Sequence, residues 1–353
     1  MRGRVAALLG IVLLASCTQR SASVTPILGQ ESTSTAPAGS SGAVEGPSAA
    51  VASSPATATQ SPAAASPSIV QGGPGLLAGR ADIGGYSLAY RCTGKGSPTV
   101  LLEAGYTASG IDTFGPAIQP ALATTSRVCT YDRAGDGTSD ARPKDVTPVT
   151  AGTQAGELHA LLDAIHVKGP YVVVGHSYGG MVSRAFAARY PKEVVGMVLL
   201  DASSEPEIPV YDRLHAGAWV DGSVTPAPNQ TIDIHATVRE LRNAPSLGAM
   251  PLIVVTAGIL EDRWLAEEPV VEARAQTRLA GLSTDSIHVL DRGKGHLLPR
   301  TDPRIVIVAV RTVVDAVKTG ASLPPCEQVF ASVHTARCLA RGQLGVQQIR
   351  PDM

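Results

Sequence analysis

The chain is short of aromatic and charged side chains. Only 4 % of its 353 residues are Phe, Trp or Tyr, and only 17 % are Asp, Glu, Lys or Arg, against roughly 25 % charged in ordinary globular domains. The 29 basic and 30 acidic residues leave a formal net charge of −1. That balance excludes a basic nucleic-acid-binding surface and an acidic tail. No Cys or His pair has a ligand spacing such as C-x-x-C or H-E-x-x-H, so no metal site is expected. The averages also conceal two unlike parts. Every aromatic residue lies at or after Tyr86, and between Ser21 and Gly79 the only charged side chains are Glu31 and Glu45. A stretch made mostly of Ala, Ser, Thr, Pro and Gly cannot bury enough apolar surface to offset the entropy of ordering itself. Length alone allows about two domains, but composition reduces them to one, expected over residues 80–320, with a tail at 321–353.

What precedes residue 80 reads as an address and a tether. Arg2 and Arg4 lead into an apolar run from Val5 to Leu14. Ten residues are about half of what a bilayer span needs, so residues 1–16 are expected to be a signal peptide. The run closes on Leu14-Ala15-Ser16-Cys17, which resembles the bacterial lipobox. That resemblance implies a lipid on Cys17 and a location on the outer face of the bacterial cytoplasmic membrane, held by the lipid anchor. The alternative is a plain secretory signal with a coincidental Cys. Residues 17–79 would then form a flexible spacer whose fifty-odd residues reach on the order of 40 Å. Cys92, Cys129, Cys326 and Cys338 remain, an even number that in an exported chain reads as disulfides. Three connectivities exist, of which Cys92 with Cys129 and Cys326 with Cys338 is favoured.

From residue 80 onward the pattern is α/β. Arg80 to Ile83, Gly84-Gly85 and Tyr86 to Cys92 predict a hairpin with a two-residue turn. Continuous apolar runs at Thr99–Glu103, Arg127–Tyr131, Tyr171–Val174, Val194–Leu200, Leu252–Thr256 and Ser286–Leu290 predict strands covered on both faces. Helical stretches alternate with them at Asp112–Ala123, Thr153–Ile165, Tyr178–Tyr190, Trp264–Ala280 and Pro303–Lys318. The result is a mostly parallel, doubly wound sheet entered through an antiparallel hairpin. Residues 202–249 hold no convincing strand, so they are expected to form a small cap over the carboxyl edge of the sheet.

The chemistry centres on Val172-Val173-Val174-Gly175-His176-Ser177-Tyr178-Gly179-Gly180. G-x-S-x-G is common in a chain with 36 Gly, but a strand that ends in it and turns at once into a helix is not. Such an elbow exposes the Ser177 hydroxyl on a strained turn, while two glycines let strand and helix approach. The nucleophile needs a base. His296, in Gly293-Lys294-Gly295-His296, follows the last parallel strand at the edge where the loops converge. The other seven are worse placed: His159, His166 and His176 lie on or near the elbow's helices, His215 and His235 in the insert, His334 in the tail, and His288 inside a strand, where it is expected to pack.

Residues 80–320 resemble an α/β-hydrolase of the lipase and esterase-like branch. The segments that carry the resemblance are Val100 to Gly105, Tyr131 to Ser139, the elbow, Leu199 to Ala202, and Gly295-His296. The superfamily's sheet order sets the second strand beside the fourth, which supports pairing Cys92 with Cys129. It also implies an oxyanion hole made by the backbone N–H groups of Tyr178 and Tyr106. Many relatives have His-Gly where this chain has Ala104-Gly105, with Glu103 before it. The resemblance further assigns Asp132 and Arg133 to holding the loop after the fourth strand. For the acid that orients His296 it leaves alternatives: Asp201, directly after the strand following the elbow, and Glu261 or Asp262, after the next. Tyr211, Leu214 and Trp219 could line a pocket but are expected to form the cap's own small core.

The expected activity is hydrolysis of an ester-type bond in a small molecule by a Ser177–His296–acid triad through an acyl-enzyme, with no cofactor and no nucleic-acid partner. Two alternatives stand: a catalytically silent binding protein on the same fold, and a perhydrolase or haloperoxidase-like activity on the same triad.

Overall fold

The computed structural model describes residues 68–70, 75–143, 145, 148–214, 231–260, 269–346 and 348–349. Cys17, His215, Trp219, Glu261 and Asp262 lie outside the described residues, and the side chains of Tyr211 and Leu214 are likewise not described. The strands are β1 (Ser68–Val70), β2 (Leu77–Asp82), β3 (Ser87–Thr93), β4 (Thr99–Glu103), β5 (Val128–Tyr131), β6 (Tyr171–His176), β7 (Val194–Leu200), β8 (Leu252–Ala257), β9 (Ile259–Leu260), β10 (Ser286–Asp291), β11 (Ala336–Leu339) and β12 (Gln348–Ile349). Ten of them form one sheet in the order β1-β2-β3-β5-β4-β6-β7-β8-β10-β11, while β12 pairs with β9. The run β5-β4-β6-β7-β8-β10 is parallel, and both margins are antiparallel. This is the α/β-hydrolase fold.

The parallel strands are apolar throughout because each of their two faces meets a different core. Leu101, Val173, Leu199 and Val254 face one side, where α3 (Ala151–Ala164), α4 (Tyr178–Arg189) and α6 (Ile234–Arg242) pack against one another. Their neighbours Val100, Val172, Val198 and Ile253 face the other. That layer is covered by α1 (Gly110–Phe114), α2 (Ile118–Leu122) and α9 (Pro303–Thr319). Side chains alternate with period two, so a strand covered on both sides shows no polar alternation. The remaining helices are α5 (Ile208–Leu214), α7 (Pro269–Ala280), α8 (Leu298–Thr301) and α10 (Cys326–Val329). Among the described residues no helix is long and apolar enough to cross a membrane.

The structure departs from the sequence expectations in two places. The single helix expected over Asp112–Ala123 is two, α1 and α2, because Pro116 has no N–H to continue the ladder. The sheet also outruns the limits of 80 and 320. β1 and β2 begin earlier, and β11, from the expected tail, pairs antiparallel with the last parallel strand, with His288 opposite Leu339 and Asp291 opposite Ala336. Phe330 and Val333 are buried in the core, so the tail carries apolar anchors that a short segment needs to stay docked. The hairpin turn is held by the Ile83 N–H donating to the Tyr86 carbonyl at 3.0 Å and by Asp82, which accepts from the Gly84 and Gly85 N–H groups. Disulfides join Cys92 to Cys129, register partners on adjacent strands, and Cys326 to Cys338.

Candidate active site

β6 ends at His176, α4 starts at Tyr178, and Ser177 joins them at φ 55° and ψ −128°. A side chain rarely adopts a positive φ, and such a residue stores about 1–3 kcal/mol of strain. The surroundings hold it there. The Ser177 N–H donates to the Leu200 carbonyl at 3.1 Å, and the Ser177 carbonyl accepts from the N–H groups of Gly180 and Ser203 at 2.9 and 3.0 Å. The turn also requires its glycines. A Cβ on Gly179 would sit 2.4 Å from the carbonyl oxygens of Glu103 and Ala104, and one on Gly175 would sit 2.6 Å from the Gly179 carbonyl oxygen. Without those two side chains the helix N-terminus abuts the end of β4, with the positive end of its dipole beside Ser177.

His296 and Asp201 meet at the same sheet edge. Asp201 directly follows β7 at φ 42°, and its two oxygens are both engaged. Oδ1 accepts the Ala257 N–H at 2.8 Å and Oδ2 lies 2.7 Å from His296 Nδ1. A carboxylate only accepts, so Nδ1 donates and the ring's lone pair is left on Nε2. Asp201 is buried while the His296 ring is 42 % exposed, a charge held inside against an imidazole open to a ligand. His176 packs behind them. Its Nε2–H donates to the His296 carbonyl at 2.8 Å, and the two ring centroids are 4.9 Å apart. Burial, followed by the nearby His296, pushes the His176 pKa down to about 3, so this ring stays neutral and acts as a strut. His288 is buried with Nε2 2.8 Å from the Thr256 hydroxyl. His159 stacks on Tyr190 at 3.9 Å. Neither approaches the site.

The loop that carries Tyr106 is clamped from below. Arg133, fully buried, donates to Glu103 Oε1 at 2.6 Å, to the Ala104 carbonyl at 2.7 Å and to the Gly105 carbonyl. The Tyr131 hydroxyl donates to the other oxygen of Glu103 at 2.6 Å. In a trans peptide the N–H points away from the carbonyl, so binding the Gly105 carbonyl to Arg133 turns the Tyr106 N–H away from the clamp. A Cβ on Gly105 would lie 3.3 Å from Ser177 Cβ, which places that peptide directly against the elbow. The Tyr106 and Tyr178 rings meet edge to face with centroids 6.0 Å apart. Asp132 ties the neighbouring loops together by accepting from the Ser109 hydroxyl at 2.8 Å and the N–H groups of Ile111 and Thr138. Glu103 thus serves as Arg133's counter-charge. The pattern Tyr131-Asp132-Arg133 pointed to a loop-holding role, but nothing in its spacing from Glu103 indicated a buried ion pair.

A cleft of about 310 Å³ opens beside the elbow, bounded by Tyr106, Thr107, Ser109, Asp112, His176 and Arg300. It offers hydroxyls and both signs of charge. A larger cavity, about 470 Å³, lies at the amino end of β10 among Ser286, His288, Leu323 and Arg341, away from the edge where Ser177, Asp201 and His296 gather. Among the described residues no three His, Cys, Asp or Glu side chains are grouped so as to hold a metal ion.

Residues 98–225 match the α/β hydrolase fold family. The chain is 28 % identical over 229 residues to the uncharacterized protein YqjL of Bacillus subtilis (strain 168), covering 62 % of this chain and 85 % of that one. Among solved structures it resembles a haloalkane dehalogenase, DbeA from Bradyrhizobium elkani USDA94, with a TM-score of 0.52 and 15 % identity over 70 % of this chain and all of that one. It also resembles a thermophilic esterase from Thermogutta terrifontis, with a TM-score of 0.50 and 20 % identity over 66 % of this chain and 94 % of that one. These structural likenesses concern the fold alone, and proteins of different chemistry share it. Its strand order and the match over residues 98–225 give the chain the α/β-hydrolase fold.

Proposed function

We propose that the protein is a serine hydrolase that cleaves an ester-type bond in a small molecule through an acyl-enzyme. The observation that carries this reading is the hydrogen bond from His296 Nδ1 to Asp201, which leaves Nε2 basic at the sheet edge that also holds Ser177. The Ser177 hydroxyl attacks the substrate carbonyl, forming a C–O bond, while its proton passes to His296 Nε2. The oxyanion of the tetrahedral intermediate accepts from the N–H groups of Tyr106 and Tyr178. Collapse breaks the bond to the alcohol, which leaves with the proton from His296, and a water repeats the sequence to release the acid and free Ser177. Asp201 stabilises the imidazolium in both halves. A fluorophosphonate probe tests the assignment together with a panel of p-nitrophenyl esters of increasing chain length. Labelling of the wild type and its loss in Ser177→Ala are expected; equal labelling of both, or no labelling and no hydrolysis, overturns it.

The same reading sets the enzyme outside the cytoplasmic membrane on a lipid at Cys17. Arg2, Arg4, the apolar run and the lipobox-like Leu14 to Cys17 support it, as do two disulfides, which persist in oxidising compartments. Cys17→Ser is expected to release the protein from the membrane fraction; an unchanged distribution refutes the anchor.

A further inference from the structure

The cleft of about 310 Å³ is walled by Tyr106, His176 and Leu297 among others. Tyr106 carries one of the two oxyanion N–H groups, His176 precedes Ser177, and Leu297 follows His296. The Tyr106 loop lies against the elbow, because a Cβ on Gly105 would stand 3.3 Å from Ser177 Cβ. A substrate whose carbonyl is held at Ser177 therefore has this cleft beside it. Its volume lies at the lower end of the roughly 300–1,000 Å³ that small-molecule pockets occupy.

The cleft carries more polar groups than the fold uses. Arg300, on α8, and Asp112, on α1, both line it. Among the described residues neither side chain makes a hydrogen bond or an ion pair, and the two do not pair with each other. Their backbones are nevertheless fixed. The Arg300 N–H donates to the Leu297 carbonyl at 2.9 Å, the Asp112 N–H donates to the Ser109 hydroxyl at 3.1 Å, and α1 packs against α8. In the same wall Thr107 takes φ 56°, an outlier for a β-branched residue and of the kind that gathers at ligand sites. The His176 ring, 3 % exposed, adds a fourth group. Its Nε2–H is committed to the His296 carbonyl, so Nδ1 keeps a lone pair, and that atom is buried without a partner.

Opposite charges on one cleft select for a ligand that has both. A carboxylate gains from Arg300 and is repelled by Asp112, while an ammonium gains from Asp112 and is repelled by Arg300. A neutral chain gains from neither. Only a group with a carboxylate and an ammonium a few bonds apart meets favourable charge twice. We propose that the substrate is an ester whose acyl or alcohol portion ends in a zwitterion of the α-amino-acid type, its carboxylate held by Arg300 and its ammonium by Asp112. This inference rests on the reading of the protein as a Ser177 esterase and names the substrate class of that site. The bond broken is the same acyl C–O bond, with water as the second reactant, so nothing further is consumed.

Two matched ester series test it. In the acyl series, glutamate γ-methyl ester carries both charges, monomethyl glutarate the anion, methyl 4-aminobutyrate the cation and methyl butyrate neither. The alcohol series repeats the pattern with 5-acetoxy-2-aminopentanoate, 5-acetoxypentanoate, 4-acetoxybutylamine and butyl acetate. Acid release by the full chain is followed at pH 7. In one of the series the zwitterion should exceed the neutral ester roughly twentyfold in kcat/KM, from about fivefold for each exposed charge pair, and through KM more than kcat. The singly charged esters should match the neutral one, and about 0.5 M NaCl should shrink the zwitterion's advantage. Arg300→Gln should cut the zwitterion-to-neutral ratio about fivefold and raise the cation-to-neutral ratio; Asp112→Asn should cut the first equally and raise the anion-to-neutral ratio instead. Ratios taken within one variant cancel any general loss of activity, and loosening of the fold cannot move them in opposite directions. A zwitterion without advantage in either series, or ratios that the two substitutions leave unmoved, overturns the proposal when the neutral esters are hydrolysed and the fluorophosphonate labels the wild type. No hydrolysis of any ester and no labelling overturns instead the functional reading on which it rests.

Discussion

His296 donates its Nδ1 proton to Asp201 across 2.7 Å while the other oxygen of that carboxylate is held by the Ala257 N–H at 2.8 Å. With both oxygens committed the carboxylate cannot rotate, and the ring is locked with its lone pair on Nε2. Asp201→Asn should break this arrangement without unfolding the protein. The amide oxygen can keep the Ala257 bond, but its NH₂ then faces His296 and forces the opposite tautomer. We expect kcat to drop by about 10³ to 10⁴ with the circular dichroism spectrum unchanged. A near-wild-type rate would move the acid role to a different carboxylate, with Glu261 the first to test.

Arg133 should matter for rate as well as stability, because its guanidinium orients the peptide that carries the Tyr106 N–H. Arg133→Met leaves Glu103 charged and buried without a cation, a loss of about 3–5 kcal/mol, and so is a poor probe of catalysis. Arg133→Lys keeps the charge but not the planar fork. That variant should fold and lose roughly 10- to 100-fold in kcat with little change in KM, as expected for a misplaced oxyanion donor. Arg142→Lys is the control: Arg142 makes a similar buried fork to Glu157 at 2.6 Å, and its substitution should lower the melting temperature without affecting kcat. Equal kcat losses in the two lysine variants would show that both act through general loosening.

What the sequence displayed was whatever depends on local pattern. Thr99–Glu103 and Val194–Leu200 are strands at the limits their apolar runs indicate, because a strand covered on both faces must be apolar throughout. Ser177 and His296 could be brought to one edge because strands that run parallel put their carboxyl-end loops together. The choice among Asp201, Glu261 and Asp262 could not be made that way, since all three follow neighbouring strands; Asp201 lies 2.7 Å from His296 Nδ1, while Glu261 and Asp262 lie outside the described residues. The contacts that fix the site most firmly were hidden for the same reason. Arg133 and Glu103 are 30 residues apart, and nothing local marks such a pair. The tail has no long continuous apolar run after residue 320, yet Phe330, Val333 and Leu339 are enough to dock it.

The two disulfides should differ in worth. Cys92 and Cys129 are 37 residues apart and Cys326 and Cys338 only 12, and the entropy removed from the unfolded chain grows with the loop closed. Replacing each pair by Ala is expected to cost about 4 kcal/mol for the first and about 3 kcal/mol for the second in urea unfolding. Losing the second bridge should also loosen β11, which follows α10 through that bond, and so raise amide exchange along β10 and β11. A larger loss from the short loop than from the long one would mean that docking of the tail, not chain entropy, dominates its contribution.

Acid should destabilise the fold in two separable steps. His288 and His176 are buried neutral, with pKa values pushed down by burial to about 4 and about 3. An imidazole whose folded pKa is depressed stabilises the fold above its unfolded value of about 6.5 and loses that contribution as pH falls through the folded value. Glu205 behaves in the same sense at lower pH. Burial would raise its pKa, but the two bonds from Arg184 outweigh that and hold it at about 2. Its contribution is complete above the unfolded carboxyl range and disappears between about pH 4.5 and pH 2, roughly 3 kcal/mol in all. Glu205→Gln isolates the second step, because the amide keeps the shape and cannot titrate. The stability gap between wild type and this variant should be flat from pH 7 to about pH 5 and close progressively below that, while the loss between pH 6.5 and pH 4 that the histidines cause should appear equally in both. Urea unfolding at intervals from pH 7 to pH 3 measures both curves. A gap that stays constant down to pH 3 would show that Arg184 and Glu205 contribute packing and not charge.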